Sequence, residues 1–344
     1  MIITRTPVRI SFFGGGTDYS AYYLRHGGAT LTTAVDKYVY VTVQHLTEFF
    51  EHNIQVHYSR VESVGALDEI QIPNVRETLR LLGIAHGVEI HLVGDLPARS
   101  GLGSSSATTV GLLKALHGYL GRLIDDHEAA RQAVHVERHL CGERVGSQDQ
   151  YICAHGGFRH LQFLPDGEVR VEPVPLDQER LDELQASLML MYTGQQRAAH
   201  EVLTEQVQRT QEGELDDRLA QMKAQVTEAI RILGSADPIG RFGELLHEAW
   251  ELKRSLSSRI SNPWLDEVYG AARAAGAIGG KLLGAGAGGF LLLLAEPAHQ
   301  PAVEAALCGL KRVPFRFESS GSSIIFYQPD DHRRRRGEVT DAGD

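Results

Sequence analysis

The sequence has few cysteines, few tryptophans and no long apolar run. Its 344 residues include two tryptophans and three cysteines, and Cys141, Cys153 and Cys308 show no Cys-x-x-Cys spacing. Three separated cysteines argue against a disulfide framework and against a structural zinc site. The longest apolar run, at 290–295, is far too short to span a bilayer, so we expect no membrane partner.

The chain also lacks an excess of positive charge. Its formal net charge is −10 and its pI is about 5.9, which argues against a general attraction to nucleic acid or to an anionic membrane. Residues 1–7 lack the charged start and apolar stretch of a signal peptide, so we expect a cytoplasmic protein. The length and the 42% of hydrophobic residues suit two folded domains.

Local patterns predict mixed helix and sheet. Alternating β-branched and aromatic residues at 1–60 predict several strands, and Pro173 and Pro175 suggest a boundary between domains spanning 1–175 and 176–328. Residues 329–344 are predicted to be a disordered tail, although their arginines could contact an anionic partner. Helices are predicted over 74–83, 105–120, 126–141, 197–233, 238–257, 263–275 and 297–310, and strands over 88–94, 158–163, 169–174, 188–192, 289–295, 314–318 and 322–327.

Residues 97–107, called the serine loop below, join a predicted strand to a predicted helix. Gly101 and Gly103 let the backbone pass close to a ligand, and a helix N-terminus offers unpaired N–H groups and partial positive charge. The adjacent hydroxyls can bind phosphate oxygens or magnesium. The segment therefore predicts a phosphate-binding loop, with a serine-capped helix after a glycine turn as the alternative. The candidate nucleotide-binding residues are Pro97, Gly101, Leu102, Gly103, Ser104, Ser105 and Ser106.

Near the N-terminus, an apolar stretch breaks into three glycines followed by Thr17 and Asp18. A run of glycines removes side chains from one surface, so a small polar ligand can approach the main chain there. Asp18 could then accept two hydroxyl hydrogen bonds from a sugar. The alternative is an ordinary turn in which Asp18 caps a helix. Gly15, Gly16, Thr17 and Asp18 are candidate substrate residues.

Two carboxylates, Glu137 and Asp149, lie on either side of a glycine-containing turn at 141–147. The turn could fold the second carboxylate back toward the first, so that one holds magnesium and the other takes a proton. Each also has a structural interpretation, Glu137 on a solvated helix face and Asp149 at an ordinary helix start.

Two further motifs invite misinterpretation. The spacing Gly284-x-Gly286-x-x-Gly289 matches a dinucleotide-binding turn, but here the glycines precede a strand, which favours a glycine loop lining a cleft or a plain tight turn. His135 and His139 lie one helical turn apart, as in zinc peptidases. Glu137 is two positions from each, about 200° around the helix, so we expect no zinc there.

Three of these segments, at 7–18, 97–107 and 281–289, resemble the ordered motifs of the GHMP small-molecule kinases, a family that includes galactokinase and mevalonate kinase. Intervening segments are most similar to those of the D-glycero-D-manno-heptose 7-phosphate kinases, namely Gly-Ser-Gln-Asp-Gln-Tyr from 146, Gly-Gly-Phe from 156, Tyr-Thr-Gly-x-x-Arg at 192–197 and Asn-Pro at 262–263. The resemblance covers residues 1 to about 328. It implies an α+β fold with a ribosomal S5-like N-terminal domain and a ferredoxin-like C-terminal domain.

The resemblance implies ATP-dependent phosphorylation of a sugar hydroxyl, with ATP and Mg²⁺ as cofactors. It assigns the ATP phosphates to the serine loop and the metal to Ser105 and Glu137. Asp149 would be the catalytic aspartate that accepts the proton of the sugar hydroxyl, with Arg9 steadying the developing charge. Asp18 would orient sugar hydroxyls. We expect the anomeric hydroxyl of a heptose 7-phosphate to be the acceptor.

The phosphate of such a sugar needs cations, and Arg197 is the first candidate because arginine binds phosphate in a bidentate fork. Lys281 and Lys253 are the next candidates. Gly286, which lies in the glycine loop, is a further candidate substrate residue. Arg197 could instead pair with Glu201 one helical turn later. The alternatives are an anomeric kinase of a fucose-like or galactose-like sugar, and an inactive relative that senses a sugar. A homodimer is compatible with the resemblance.

Overall fold

The computed structural model describes residues 1–47, 49–97, 100–195, 199–286 and 288–329, with the backbone alone described at 199–203. The described strands are β1 (Ile2–Phe13), β2 (Gly28–His45), β3 (Ile54–His57), β4 (Val61–Val64), β5 (Val88–Gly94), β6 (Phe158–Phe163), β7 (Val169–Pro173), β8 (Leu188–Tyr192), β9 (Gly279–Leu282), β10 (Phe290–Leu294), β11 (Lys311–Arg312) and β12 (Ser323–Tyr327). The described α-helices are α1 (Ser20–His26), α2 (Pro73–Leu81), α3 (Ser104–Tyr119), α4 (Asp126–His135), α5 (Gln148–His155), α6 (Gln178–Ser187), α7 (Ala199–Gln211), α8 (Asp216–Leu233), α9 (Ile239–Arg254), α10 (Pro263–Ala274) and α11 (Gln300–Ala306).

The first sheet is built around the long strands β1 and β2. Its order is β12-β1-β2-β5-β3-β4, and β6 pairs with β2 and with β7. Neighbouring strands are antiparallel except β3 and β5, which run parallel. Helix α3 packs across β1 and β2, where Gly111 lets the helix approach Thr4 and Thr6 closely. This packing fixes the N-terminus of α3, and with it the serine loop, relative to β1.

The second sheet is smaller and antiparallel throughout, with the order β11-β8-β10-β9. Its central strand β10 reads Phe-Leu-Leu-Leu-Leu and is buried along its whole length, as expected for a strand covered on both faces. Helix α10 begins at Pro263 after Asn262, whose side chain accepts the N–H of Leu265, as the Asn-Pro pair predicts.

The two sheets are joined by a shared core. The rings of Phe12 and Phe13, at the end of β1, lie 5.5 and 5.1 Å from that of Phe242 on α9. Strand β12 belongs to the second half of the chain but pairs with the start of β1. The division at residues 175 and 176 stays a prediction. The last described strand nevertheless belongs to the first sheet.

Most predicted elements are confirmed, and three differ. Strands predicted at 88–94, 158–163 and 188–192 have the predicted bounds. The single helix predicted over 197–233 is wrong within the described part, because Gly213, at φ +80°, separates α7 from α8. The strand predicted at 314–318 is also wrong, since Phe317 makes an isolated bridge to Val35. The helix predicted over 126–141 changes at Val136 to a π-helical turn, Val136–Leu140.

The predicted tail falls almost entirely at 330–344, outside the described residues. Among the described helices, none combines the length and apolar character needed to cross a membrane.

Candidate active site

The serine loop leads from β5 into α3, and its shape depends on two glycines. Gly103 precedes α3 with φ +75°, and no side chain caps the helix there. The N–H groups of the first helical turn have no acceptor within the helix, so they can donate to a ligand. Ser104 is half-buried, Ser105 exposed and Ser106 buried, so the three hydroxyls lie at different depths.

The glycine loop at 284–289 packs directly against the serine loop. A side-chain carbon at Gly101 would lie 2.6 Å from the carbonyl oxygen of Leu283, and one at Gly284 would lie 2.5 Å from the Cα of Gly101. A carbon at Gly289 would meet the carbonyl of Ser100 at 2.3 Å. Because glycine alone permits these approaches, the two loops meet through their main chains, and the cleft-lining interpretation of 284–289 stays a prediction.

Arg9 and Asp149 form a two-pronged ion pair beside this junction. Arg9 Nε and Nη2 each donate to a carboxylate oxygen of Asp149 at 2.7 Å, while Arg9 Nη1 donates to the carbonyl of Gly101 at 2.6 Å. Burial alone would lower the pKa of Arg9, but the Asp149 carboxylate outweighs it and raises that pKa. The Asp149 side chain stays 23% exposed, so it remains open to a ligand.

A carbon on Gly103 would lie 3.1 Å from Asp149 Oδ2, so the carboxylate lies against the N-terminus of α3. The structure therefore brings together three segments distant in sequence: β1, the serine loop and the start of α5.

Glu137 lies beneath the serine loop on the π-helical turn. Its Oε2 accepts hydrogen bonds from Ser106 Oγ at 2.9 Å and Gln150 Nε2 at 2.6 Å. Its other oxygen, Oε1, is buried without a hydrogen-bond partner among the described residues. Burial raises the pKa of Glu137 to about 7. The hydroxyl that contacts Glu137 thus belongs to Ser106, whereas Ser105 points to a more exposed position.

Asp18 is buried and holds two neighbouring segments. Its Oδ1 accepts the N–H of Gly16 at 2.9 Å and its Oδ2 accepts that of Gln148 at 3.3 Å. Burial raises the pKa of Asp18. Thr17 Oγ1 donates to the carbonyls of Gly14 and Ala29, so this hydroxyl is used within the fold.

Gly15 is the more open part of this turn. A carbon there would have its nearest neighbours, Gln148 Nε2 and Ser11 Oγ, at 3.6 Å. Ser11 Oγ and Gln148 Oε1 are both buried and lack a hydrogen-bond partner among the described residues. Sequence analysis missed this pair, although Gln148 lies directly before Asp149. The two unpaired groups fit a polar ligand that approaches the glycine run.

The two candidate lysines are buried and donate to the main chain. Lys281 Nζ donates to the carbonyl of Phe12 at 2.8 Å, and Lys253 Nζ donates to those of Leu282 and Gly284 at 3.0 and 2.6 Å. Burial lowers the pKa of Lys253 to about 7 and lowers that of Lys281 well below its usual range. Lys253 therefore fixes the start of the glycine loop, a role that no sequence pattern indicated.

Other predicted residues lie at the margin of this site. Pro97 is exposed at the start of the serine loop, and the carbonyl of Leu102 accepts the N–H of Arg9 at 2.9 Å. Gly286, at φ +118°, packs against the backbone of Ile260. Arg197 lies outside the described residues. The rings of His135 and His139 contact each other, with centroids 5.5 Å apart, while Glu137 between them points to the serine loop.

Comparison with known proteins gives two family matches. Residues 72–157 match the GHMP kinases N terminal domain, and residues 235–311 match the GHMP kinases C terminal domain. The first match contains the serine loop, Glu137 and Asp149, and the second contains Lys253 and the glycine loop.

Relatives of known activity match over most of the chain. A D-glycero-alpha-D-manno-heptose 7-phosphate kinase of Campylobacter jejuni is 30% identical over 87% of this chain and 91% of its own. A bifunctional fucokinase/GDP-fucose pyrophosphorylase of Arabidopsis thaliana is 28% identical over 86% of this chain, which spans 30% of that protein. A crystal structure of a D-glycero-D-manno-heptose 1-phosphate kinase from Bacteroides thetaiotaomicron has a TM-score of 0.77 and 26% identity, covering 95% of this chain and 99% of its own.

Proposed function

Because this chain belongs to the GHMP kinase family and is an ATP-dependent sugar kinase, we propose that it phosphorylates the anomeric hydroxyl of D-glycero-D-manno-heptose 7-phosphate. The product would be the 1,7-bisphosphate. The observation that carries the chemistry is the Arg9–Asp149 pair placed against the N-terminus of α3. The choice of a heptose as the substrate rests on the similarity to the Campylobacter jejuni and Bacteroides thetaiotaomicron kinases.

In this proposal the chain works mainly by positioning and charge. The first-turn N–H groups of α3 and the hydroxyls of the serine loop bind the phosphates of ATP. Asp149 Oδ2 accepts the proton of the sugar hydroxyl as that oxygen attacks the γ-phosphorus. Arg9 holds the carboxylate by two hydrogen bonds, so its orientation does not depend on the substrate.

The residues around Glu137 fit a magnesium ion. A buried carboxylate oxygen without a partner, next to a serine hydroxyl, is an oxygen donor set of the kind that Mg²⁺ prefers. Glu137 would hold the ion with Ser105 or Ser106, and the contact to Glu137 favours Ser106. When bound, the ion would neutralise phosphate charge.

The sugar would lie between the glycine run at 14–16 and the start of α5. The unpaired Ser11 Oγ and Gln148 Oε1 offer it hydrogen bonds, and Asp18 shapes this surface by holding the N–H groups of Gly16 and Gln148. Lys281 and Gly286 would support this side from the second half of the chain. The contacts of Thr17 and Asp18 indicate an indirect role for both side chains.

Substrate choice is tested by ADP release from MgATP against a panel of sugars, with Asp149→Asn as the blank. The names of the two heptose kinases place a phosphate at carbon 7 and at carbon 1, so the panel needs both heptose phosphates and free heptose. Turnover confined to the 7-phosphate is the expected result. Turnover with fucose or galactose would keep the kinase and overturn the heptose, and ATP binding without turnover would favour a sugar-sensing regulator.

Arg197 remains our candidate for the distal phosphate of the sugar. Arg197→Ala should raise KM for heptose 7-phosphate far more than KM for ATP. The reason is that the bidentate guanidinium contact, which the variant loses, is made to the sugar phosphate alone. The matched control is Arg170→Ala, which removes an exposed arginine paired with Glu168 on the first sheet. Equal increases of both KM values would remove Arg197 from the sugar site.

Cytoplasmic location and homodimer formation also stay proposals. The acidic net charge and the small-molecule activity support the first. Sedimentation of the full chain with and without ATP tests the second.

A further inference from the structure

A group of two histidines and one carboxylate lies outside the proposed kinase site. His57 ends β3, and Glu89 and His91 lie on the adjacent strand β5, where residue 57 pairs with residue 91. Val88 and Ile90 are fully buried, whereas Glu89 and His91 alternate with them on the opposite, half-buried face. The three side chains therefore share one face of the sheet and remain accessible.

In this His-Glu-His cluster, the three potential ligand atoms lie within 4.8 Å of one another. Glu89 Oε1 lies 2.7 Å from His91 Nε2 and 3.5 Å from His57 Nε2. The two imidazole rings stack with centroids 4.1 Å apart and planes within 7°, so one ring must turn before both nitrogens can point at one ion. His57 Nε2 is buried, has no hydrogen-bond partner among the described residues, and lies 3.5 Å from the same carboxylate oxygen.

A fourth side chain orients the carboxylate. Gln44 Nε2, on β2, donates to Glu89 Oε2 at 2.8 Å, which leaves Oε1 to face both histidines. Partners of this kind fix ligand orientation in protein metal sites.

We propose that His57, Glu89 and His91 bind a divalent transition-metal ion with the ligand preferences of Zn²⁺. Two imidazoles and one carboxylate suit such an ion, whereas Mg²⁺ prefers oxygen ligands alone. A tetrahedral zinc ion with bonds of about 2.0–2.1 Å separates its ligand atoms by about 3.3 Å, and the two distances to Glu89 Oε1 lie on either side of that value. Water would complete the coordination.

The site would tie the edge of the first sheet to its centre. Strands β3 and β4 form a short hairpin at the end of the sheet order, and β3 is joined to the rest through β5. A metal ion that binds His57 and the two β5 residues adds a link across this pairing. Metal binding should therefore raise the Tm and slow amide hydrogen exchange in β3 and β4.

The test is a Zn²⁺ titration of the full chain against a chromophoric chelator at about pH 7.5, since Zn²⁺ competes with protons for its ligands. We expect one tight ion per chain. His91→Gln and Glu89→Gln should each weaken its binding by about tenfold or more, because each removes one of three ligands. The exchange rates of β3 and β4 amides are measured in parallel, and they should respond to Zn²⁺ in the wild type but not in these variants.

The matched control is the double variant His135→Gln/His139→Gln, which removes a competing pair of histidines in ring contact. It should retain the tight ion. The proposal is overturned if the wild type binds no tight Zn²⁺, or if the double variant loses the ion while His91→Gln keeps it. Because no readout uses turnover, failure here would leave the proposed kinase activity untouched.

Discussion

At the scale of single residues, the site is defined by how differently its three carboxylates are paired. Asp149 faces Arg9, Asp18 accepts two main-chain N–H groups, and Glu137 accepts one hydroxyl and one amide. Arginine neutralises the carboxylate charge, whereas neutral hydrogen-bond donors only solvate it. The three environments therefore predict different chemistry for the same functional group.

Asp149→Asn should lower kcat by about 10²–10⁴, the usual contribution of a general base, while KM for ATP changes little. The asparagine keeps one acceptor for Arg9, so the fold should survive. Steady-state kinetics with both substrates measures the effect. Asp68→Asn, at a carboxylate 89% exposed, is the control and should keep kcat. An unchanged kcat in Asp149→Asn would exclude the proposed proton transfer.

Glu137→Gln should stabilise the magnesium-free protein more at high pH than at low pH. The pKa of Glu137 rises from 4.5 to about 7 on folding, so the native state binds the extra proton between these values. This carboxylate therefore makes wild-type stability fall as pH rises through that window. The variant, which cannot ionise, should gain up to about 3 kcal/mol of unfolding free energy at pH 8 and little below the unfolded pKa.

Urea unfolding at several pH values measures the Glu137→Gln effect. The amide oxygen of the variant still offers an acceptor to Ser106 and Gln150, the two donors that contact the carboxylate. Glu168→Gln, at a side chain 55% exposed, serves as control and should show a difference that does not change with pH. A pH-independent difference in Glu137→Gln itself would mean that this carboxylate is not the buried titrating group.

At the scale of elements, the active site depends on contact between two glycine-containing loops. Gly101 has a φ of +85°. A side-chain carbon added there would lie 2.6 Å from the carbonyl oxygen of Leu283. Lys253 holds the other side of that contact through Leu282 and Gly284. A loop from each half of the chain is thus held where the ATP phosphates are proposed to bind.

Gly101→Ala should destabilise the protein and raise KM for ATP, because the added carbon separates the two loops. The matched control is Gly142→Ala, where φ is +69° but nothing lies within 4 Å of the added carbon. The control should cost about 1–2 kcal/mol from the backbone conformation alone. Gly101→Ala should cost about 1–3 kcal/mol more. Thermal unfolding and ATP kinetics measure both, and equal losses of stability would show that the loop contact contributes nothing.

At the scale of the whole molecule, the shared core makes the two sheets one cooperative unit. Phe242 on α9 packs against Phe12 and Phe13 at the end of β1, and β12 returns to the first sheet from the end of the chain. Separate unfolding of either half would expose these rings and break the β1–β12 pairing. Both changes cost free energy, so we expect that neither half unfolds separately.

Denaturant unfolding should therefore give coincident midpoints by two probes that report on different parts. Both tryptophans, Trp250 and Trp264, lie in the second half of the chain, whereas far-UV circular dichroism reports on every helix and sheet. Phe242→Ala should lower both midpoints together, with a loss of about 3–5 kcal/mol. Fluorescence and dichroism that separate in the wild type would show two independent units.

The residue patterns determined a good deal of this protein. The residue pattern placed β5, β6 and β8 with their observed bounds, because β8 is a continuous apolar run, whereas β5 and β6 mix apolar and polar residues as half-buried strands do. It failed at 197–233, where one glycine inside a helical pattern breaks the helix, and at 314–318, where apolar residues pair as an isolated bridge instead of a strand. Local spacing cannot distinguish these cases, because tertiary contacts decide them.

The sequence by itself determined the family and the residue types available for chemistry, since ordered motifs are properties of the chain. The tertiary structure decided which of those residues meet. It joined Arg9 to Asp149, placed Ser106 on Glu137, and set His57 beside Glu89 and His91. These contacts join residues far apart in the chain, and their geometry comes from strand register and loop packing, which no local pattern encodes.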